Sequence, residues 1–136
     1  MKYGEEIIAK FDVKKDLELW ENTCKYDYFV DITLPELTCL CPRSGYPDFA
    51  SVKISYVPDK KVVELKAIKL YINSFRDRHI SHESIASEIF DMLWQALKPK
   101  YLELKADFNP RGNVHTIISL NSNQAGLTNY EIKVAR

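Results

Sequence analysis

The sequence lacks net charge, long apolar runs and a secretory start. Lys and Arg together number 19 and so do Asp and Glu, so the formal net charge is zero. A chain without a basic field does not attract nucleic acid or anionic lipid, which disfavours both as partners. No run approaches the ~18 apolar residues that a membrane span needs, and the start, MKYGEEIIAKFDV, has no signal-peptide core. We therefore expect a soluble, cytoplasmic protein.

Cysteines are few and odd in number: Cys24, Cys39 and Cys41. Without a signal sequence, this count favours free thiols over a disulfide framework. The chain does have 136 residues, 46% of them hydrophobic, which is enough for one packed core. We expect a single domain over 1–136, with an irregular arm at 1–27 holding at most one short strand and a polar tail at 121–136.

Four segments alternate apolar and polar residues with the period of two that is typical of β-strands. They cover 28–34, 51–56, 102–108 and 114–120. Pro35 is expected to end the first strand, and Asn109–Asn113 is expected to form the turn between the last two. The first two strands are expected to pair antiparallel across the intervening loop.

Two helices are predicted between these strand pairs. Apolar residues recur from Leu65 to Phe75 at helical spacing, and a second apolar stripe runs from Ile85 to Leu97, with Ser81 as its N-cap and Pro99 beyond its end. The order of elements predicts an α+β fold, a four-stranded antiparallel sheet with both helices on one face. Four short strands leave two open sheet edges, and joining sheets between subunits into a barrel would close them.

The first predicted helix carries a basic face. Lys66, Lys69, Asn73 and Arg76 repeat with the spacing of the apolar residues. Such a face is either an ordinary solvated surface or a clamp for phosphate groups.

The segment from Cys41 to Phe49, CPRSGYPDF, is the strongest functional signal. Two prolines and a glycine hold it out of helix and sheet, so we expect an ordered loop that presents side chains. It carries a thiol at Cys41 and, seven residues on, a carboxyl group at Asp48. A thiolate with a nearby acid is suited to attack on an electrophilic carbon whose heteroatom must be protonated.

Four segments together resemble the single-module NADPH-dependent 7-cyano-7-deazaguanine reductases. They are the Cys41 loop, an octet ELKAIKLY at 64–71, His82-Glu83, and FNPRGN at 108–113. The resemblance covers about 34–120. It implies a tunnelling fold (T-fold) whose subunits assemble into pentameric barrels that stack in some members, with active sites between subunits. It also implies reduction of a nitrile to a primary amine with two molecules of NADPH and no metal, in the biosynthesis of the tRNA nucleoside queuosine.

The resemblance further implies roles for individual residues. Cys41 would attack the nitrile carbon to form a thioimide, with Asp48 first accepting and then delivering a proton. Glu83 would bind the guanine-like edge of the base, because two acceptor oxygens match a ring N–H and an exocyclic amine. The other residues expected at the base pocket are Val63, Glu64, Leu65 and His82. Lys66 and Lys69 are expected to bind the phosphates of NADPH.

Each assignment has a structural alternative. Cys41 could be a small buried hydrophobe, Asp48 a turn cap, Glu83 a helix-start residue, His82 an interface histidine, and Glu64 one partner of a surface ion pair. The sequence also departs from the family: Ser81 stands where relatives often carry an aromatic residue, Leu65 where Ser is common, and Ile85 where some carry a second cysteine. A protective disulfide from Cys41 to position 85 is therefore excluded.

Three other functions remain open at this level. Cys39, Cys41, His79 and His82 could hold zinc in a hydrolase of the same fold. Amidine-forming relatives that act on tRNA use the same thioimide, although they lack the octet and a neutral chain suits a free base better. A non-catalytic binding module would not depend on Cys41. Cys24 and Cys39 are expected to be structural.

Overall fold

The structure is a computed structural model, and it describes residues 12 and 16–127. The rest of the predicted arm and tail lies outside the described residues. In chain order the elements are β1 (Leu19–Glu21), β2 (Val30–Leu40), β3 (Pro47–Val57), β4 (Lys61–Val63), α1 (Leu65–Asn73), α2 (His82–Leu97), β5 (Tyr101–Phe108) and β6 (Ile117–Asn121). The predicted order of two strands, two helices and two strands is confirmed.

The main sheet has four antiparallel strands in the order β2-β3-β5-β6. Apolar residues on one face of this sheet pack against both helices, and Val52, Leu102, Leu104 and Ala106 are completely buried there. The opposite face is polar and carries Lys53 and Lys105, both exposed. The predicted sheet with two helices on one face is therefore correct, and its polar face has no covering layer within the described part of the chain.

The prediction that Pro35 ends the first strand is wrong. Strand β2 continues to Leu40 because the pairing with β3 shifts: Leu34 lies opposite Val52, whereas Leu37 lies opposite Ala50. Two residues, Pro35 and Glu36, therefore face one residue of β3, which is a β-bulge. A bulge on an edge strand tolerates proline, because the ladder does not need its missing N–H.

The predicted loop from Cys41 to Phe49 is shorter than expected, because β3 begins at Pro47. The prolines delimit the turn but Pro47 itself starts the strand, a position that proline tolerates. Similarly, α1 ends at Asn73, so Arg76 lies beyond the helix and pairs with Asp77 at 3.7 Å instead of extending the basic face.

Two short strands were only partly expected. Strand β1, inside the predicted arm, pairs antiparallel with β4, a strand not predicted from the sequence. At the other end, β6 begins at Ile117 rather than Val114. Residues 111–114 instead close a tight turn with mutual backbone hydrogen bonds between Arg111 and Val114. The positive φ angles of Gly112 and Asn113, 61° and 70°, are those of a two-residue hairpin turn.

Helix boundaries follow local chemistry. The Ser81 hydroxyl accepts from the Ser84 N–H at 3.1 Å, which confirms the predicted N-cap of α2. That helix ends where Lys98 adopts a left-handed conformation (φ 46°) immediately before Pro99. Among the described residues, no helix is long and apolar enough to span a membrane.

Candidate active site

Cys41 lies on a tight turn directly after β2. Its N–H donates to the carbonyl of Tyr46 at 2.8 Å, and its carbonyl accepts from the Gly45 N–H at 2.9 Å. Gly45 has a φ of 78°, a conformation that glycine adopts without strain. The turn therefore holds the Cys41 sulfur partly exposed at the end of the sheet.

Hydrogen bonds favour the thiolate form of Cys41. They lower its pKa from 9.0 to about 6: the largest effect comes from the Ser44 side chain, followed by the backbone N–H groups of Ser44 and Arg43 and then the Arg111 side chain. The Ser44 N–H lies 3.5 Å from the sulfur. A cysteine with such a pKa is mostly ionised at neutral pH and is therefore a strong nucleophile.

Asp48 is brought to the same place by strand pairing. It is only 8% exposed, and its two carboxylate oxygens have different partners. One lies 3.1 Å from Nε2 of His82, and the other lies 3.3 Å from Nη2 of Arg111. The Arg111 side chain also lowers the pKa of Cys41, so a single guanidinium acts on both the candidate nucleophile and the candidate acid.

His82 and Glu83 occupy the first turn of α2. The imidazole of His82 stacks on the ring of Phe108, with centroids 3.8 Å apart and planes within 7°. This stacking and the contact with Asp48 fix the ring of His82 beside the thiol loop. Glu83 is exposed on the adjoining surface, where its carboxylate is available to a ligand.

The structure separates the remaining predicted base-pocket residues from Cys41. The Val63 N–H donates to the Tyr56 hydroxyl at 3.1 Å. Tyr56 lies eight residues along β3 from Asp48, which is about 26 Å in an extended strand. Val63, Glu64 and Leu65 therefore lie toward the opposite end of the sheet within one chain.

Glu64 and Leu65 have well-defined local roles. The Glu64 carboxylate is the N-cap of α1 and accepts from the N–H groups of Lys66 at 2.9 Å and Ala67 at 3.0 Å. Leu65 is 64% exposed, which is unusual for a leucine at the start of a packed helix. Lys66 and Lys69 are exposed on the same helix, and Lys69 borders a cavity between α1 and the bulge of β2.

The four residues of the zinc alternative do not form a cluster. In the described part of the chain, no group of three or more His, Cys, Asp or Glu residues is arranged to hold a metal. Cys39 is completely buried, and its pKa is raised to about 11 by burial and then by the nearby Asp48 and Cys41. His79 lies on the surface, paired through its backbone with the end of β2.

Ser44 and Arg111 were missed as functional residues. Ser44 follows Cys41 by three residues, and this spacing in a turn predicts an N–H directed back at the sulfur. In the sequence, Arg111 belongs to the predicted turn at 109–113 and carries no motif of its own. An arginine in a rigid turn between two strands of a sheet is held in place by its backbone, a signal that could have identified it.

Comparisons with known proteins identify the family of the chain. Residues 47–126 match the family model described as QueF-like protein. The NADPH-dependent 7-cyano-7-deazaguanine reductase of Sulfurimonas denitrificans is 63% identical over 124 residues, which is 91% of this chain and 99% of the relative. The chain belongs to the QueF reductase family. A second QueF relative, the NADPH-dependent 7-cyano-7-deazaguanine reductase of Campylobacter jejuni, is 57% identical over 90% of this chain and 95% of its own length.

A solved structure supports the QueF fold. An archaeosine synthase described as QueF-like, in its apo form, superposes with a TM-score of 0.66 and covers 71% of this chain and 95% of its own. Its sequence identity is 23%, so it bears on the fold alone. It confirms the predicted tunnelling fold.

Proposed function

We propose that this chain is an oxidoreductase that reduces the nitrile of 7-cyano-7-deazaguanine to a primary amine with NADPH, acting in the cytoplasm on the free base during queuosine biosynthesis. The observation that carries the proposal is the connection from the Cys41 sulfur through Arg111 to the Asp48 carboxylate. Addition to a nitrile needs a thiolate at neutral pH and an acid beside it. Both groups are present in one turn and the strand that follows it.

The first step is addition of Cys41 to the nitrile. A sulfur lone pair forms the S–C bond, one C–N π bond opens toward nitrogen, and the nitrogen takes a proton from Asp48. The products are a covalent thioimide and an Asp48 carboxylate. The transferred proton is the one that Cys41 released on ionising, so Asp48 acts first as base and then as acid.

The later steps use the same two residues. NADPH, when bound, would supply one hydride to the thioimide carbon, and a second NADPH would supply another to the resulting imine. The nitrogen of that imine would take its proton from solvent by way of Asp48. Between these reductions the C–S bond breaks and Cys41 departs as a thiolate. The lowered pKa of Cys41 also helps here, since a less basic thiolate is a better leaving group.

Base recognition requires two chains in this proposal. Glu83 would bind the guanine-like edge beside Cys41 and His82. Because Val63, Glu64 and Leu65 lie toward the far end of the same sheet, a neighbouring subunit would supply them. The four-stranded order leaves β2 and β6 as edges of the sheet, where further strands can add. A homo-oligomeric barrel of five subunits, alone or stacked in pairs, fits these edges and the polar uncovered face.

The residues expected at the cofactor fit a polyphosphate. Lys66 and Lys69 are exposed and one helical turn apart, and neither ammonium forms an ion pair with another described residue. Two such cations on one face suit the charge of NADPH phosphates. The cavity beside Lys69 adds an apolar wall from Leu34 and Ile72.

Mass spectrometry of the protein mixed with 7-cyano-7-deazaguanine, without NADPH, tests the proposal. We expect a mass increase of one base on the peptide that contains Cys41, and base-dependent oxidation when NADPH is then added. Cys41→Ala should abolish the adduct, whereas the matched variant Cys39→Ala should retain it because Cys39 is buried. An unmodified wild-type protein, or an adduct that survives Cys41→Ala, would exclude the thioimide.

A further inference from the structure

Arg111 lies beside both reacting residues, but the steps of the proposed reaction give it no chemical role of its own. We infer that Arg111 is a catalytic residue whose one positive charge is shared between the Cys41 sulfur and the Asp48 carboxylate, so that it stabilises whichever of the two carries the negative charge. The inference rests on the proposed function for the addition step. Its part at the free thiol does not require substrate.

The geometry supports a shared contact. Nη2 of Arg111 lies 3.3 Å from Oδ1 of Asp48, and the same side chain lowers the pKa of Cys41. A planar guanidinium has five N–H donors in a fixed fork, so it can contact two acceptors at once, which an ammonium on a flexible stem does less well. Its backbone is fixed by the hairpin turn at Gly112 and Asn113.

The hairpin is itself anchored to the strand that carries Asp48. The Asn109 N–H donates to the carbonyl of Phe49 at 2.8 Å, one residue after Asp48. Phe108 pairs with Ala50 across β5 and β3. The base of the Arg111 side chain is therefore held against the Asp48 strand by backbone hydrogen bonds and does not depend on a mobile loop.

The charge count explains why sharing is useful. In the complex with the base, just before addition, Cys41 is a thiolate and Asp48 holds the proton that Cys41 released. After addition, the sulfur is neutral in the thioimide and Asp48 is a carboxylate. One negative charge faces Arg111 in both states and moves only from sulfur to oxygen, so the guanidinium stabilises both ends of the proton transfer.

Several other groups lie next to Cys41 and Asp48 and affect how these two residues titrate. Asp48 is contacted by His82 from α2, and the buried Cys39 of β2 lies opposite it. The pKa of Arg111 is raised, first by its hydrogen bond to Cys41 and then by the charges of Asp48, Cys41 and Tyr46. Arg111 therefore stays charged over the whole range in which Cys41 titrates.

The test measures iodoacetamide alkylation of Cys41 against pH, in a Cys24→Ser background that removes the exposed competing thiol. We expect Arg111→Gln to raise the midpoint by roughly one pH unit, which lowers the rate at pH 6 about fivefold. Arg111→Lys should restore part of this shift. Arg43→Gln is the matched control, because it removes the same charge from the exposed Arg43 side chain in the Cys41 loop and should leave the midpoint unchanged.

A double-mutant cycle with Asp48→Asn tests the sharing itself. If Asp48 competes for the guanidinium, Asp48→Asn lowers the alkylation midpoint more when Arg111 is present than in the Arg111→Gln background. Equal lowering in both backgrounds would overturn the inference, as would an unchanged midpoint in Arg111→Gln or an equal shift in Arg43→Gln. Because alkylation uses no base, these results are independent of whether the wild-type protein forms the thioimide.

Discussion

Ser44→Ala should weaken the nucleophile without removing it. The Ser44 side chain is the largest contributor to the lowered pKa of Cys41, and its oxygen also accepts from the Tyr46 N–H at 3.2 Å. The hydroxyl therefore connects the sulfur to the far end of the turn. Alanine removes this hydrogen bond but leaves the Ser44 N–H that approaches the sulfur at 3.5 Å.

The magnitude follows from the titration of Cys41. With a pKa of about 6, roughly 90% of the thiol is ionised at pH 7, against about 1% for a pKa of 9.0. Loss of one of four hydrogen-bonding contributions should raise the pKa by roughly one unit. The thiolate fraction at pH 6 then falls from about 50% to about 10%. Because the thiolate is the form present above the pKa, the defect disappears as the pH rises past about 8.

The assay measures the rate of Cys41 alkylation from about pH 4.5 to about pH 9 in the Cys24→Ser background. Cys39 should not be alkylated in this range, because it is buried and its pKa is raised to about 11. Ser44→Thr keeps the hydroxyl and is the matched control. A Ser44→Ala protein with the wild-type midpoint, or a Ser44→Thr protein that shifts as far as Ser44→Ala, would refute the assignment of the hydroxyl as the main cause.

Two further predictions concern α1. Glu64→Ala removes the cap that accepts from the N–H groups of Lys66 and Ala67, so the free energy of unfolding in urea should fall by about 1 kcal/mol. Glu64→Asp keeps a carboxylate and should retain most of the wild-type stability. Equal losses in both variants would contradict the capping role. Lys69→Ala should raise KM for NADPH severalfold with little change in kcat, because a phosphate contact is remote from the reacting carbon. Lys60→Ala, an exposed lysine outside the helix, is its control and should change neither constant.

Much of the fold could be predicted because its local patterns agree with its tertiary packing. Strands at 51–56 and 102–108 alternate cleanly, since one face of each packs on the helices and the other is polar. The Ser81 cap and Pro99 delimit α2 by chemistry that acts within a few residues. Strand β4 could not be predicted, because three residues are too few to show a period and they are held by pairing with β1.

The candidate site was predictable only in part, because some of its contacts are local in sequence and others depend on tertiary pairing. Cys41 and Asp48 are close in sequence, and a short turn predicts that they meet. Arg111 reaches them from a hairpin some sixty residues later, through the pairing of β5 with β3. No periodicity in either segment encodes that contact. The stacking of His82 on Phe108 likewise joins α2 to the end of β5 and has no local signal.

The bulge at Pro35 and Glu36 has a consequence for how the chain tolerates length changes. Before it, the core-facing residues of β2 are even-numbered, as at Ile32 and Leu34; after it they are odd-numbered, as at Leu37 and Cys39. Deleting one of these two residues would leave a single residue opposite Ser51 and would keep Leu37 and Cys39 facing the core, because the extra residue is what offsets the alternation. The loss of one codon at the bulge would thus be absorbed by the sheet, whereas the loss of Thr38 would turn Cys39 outward just before the reactive thiol.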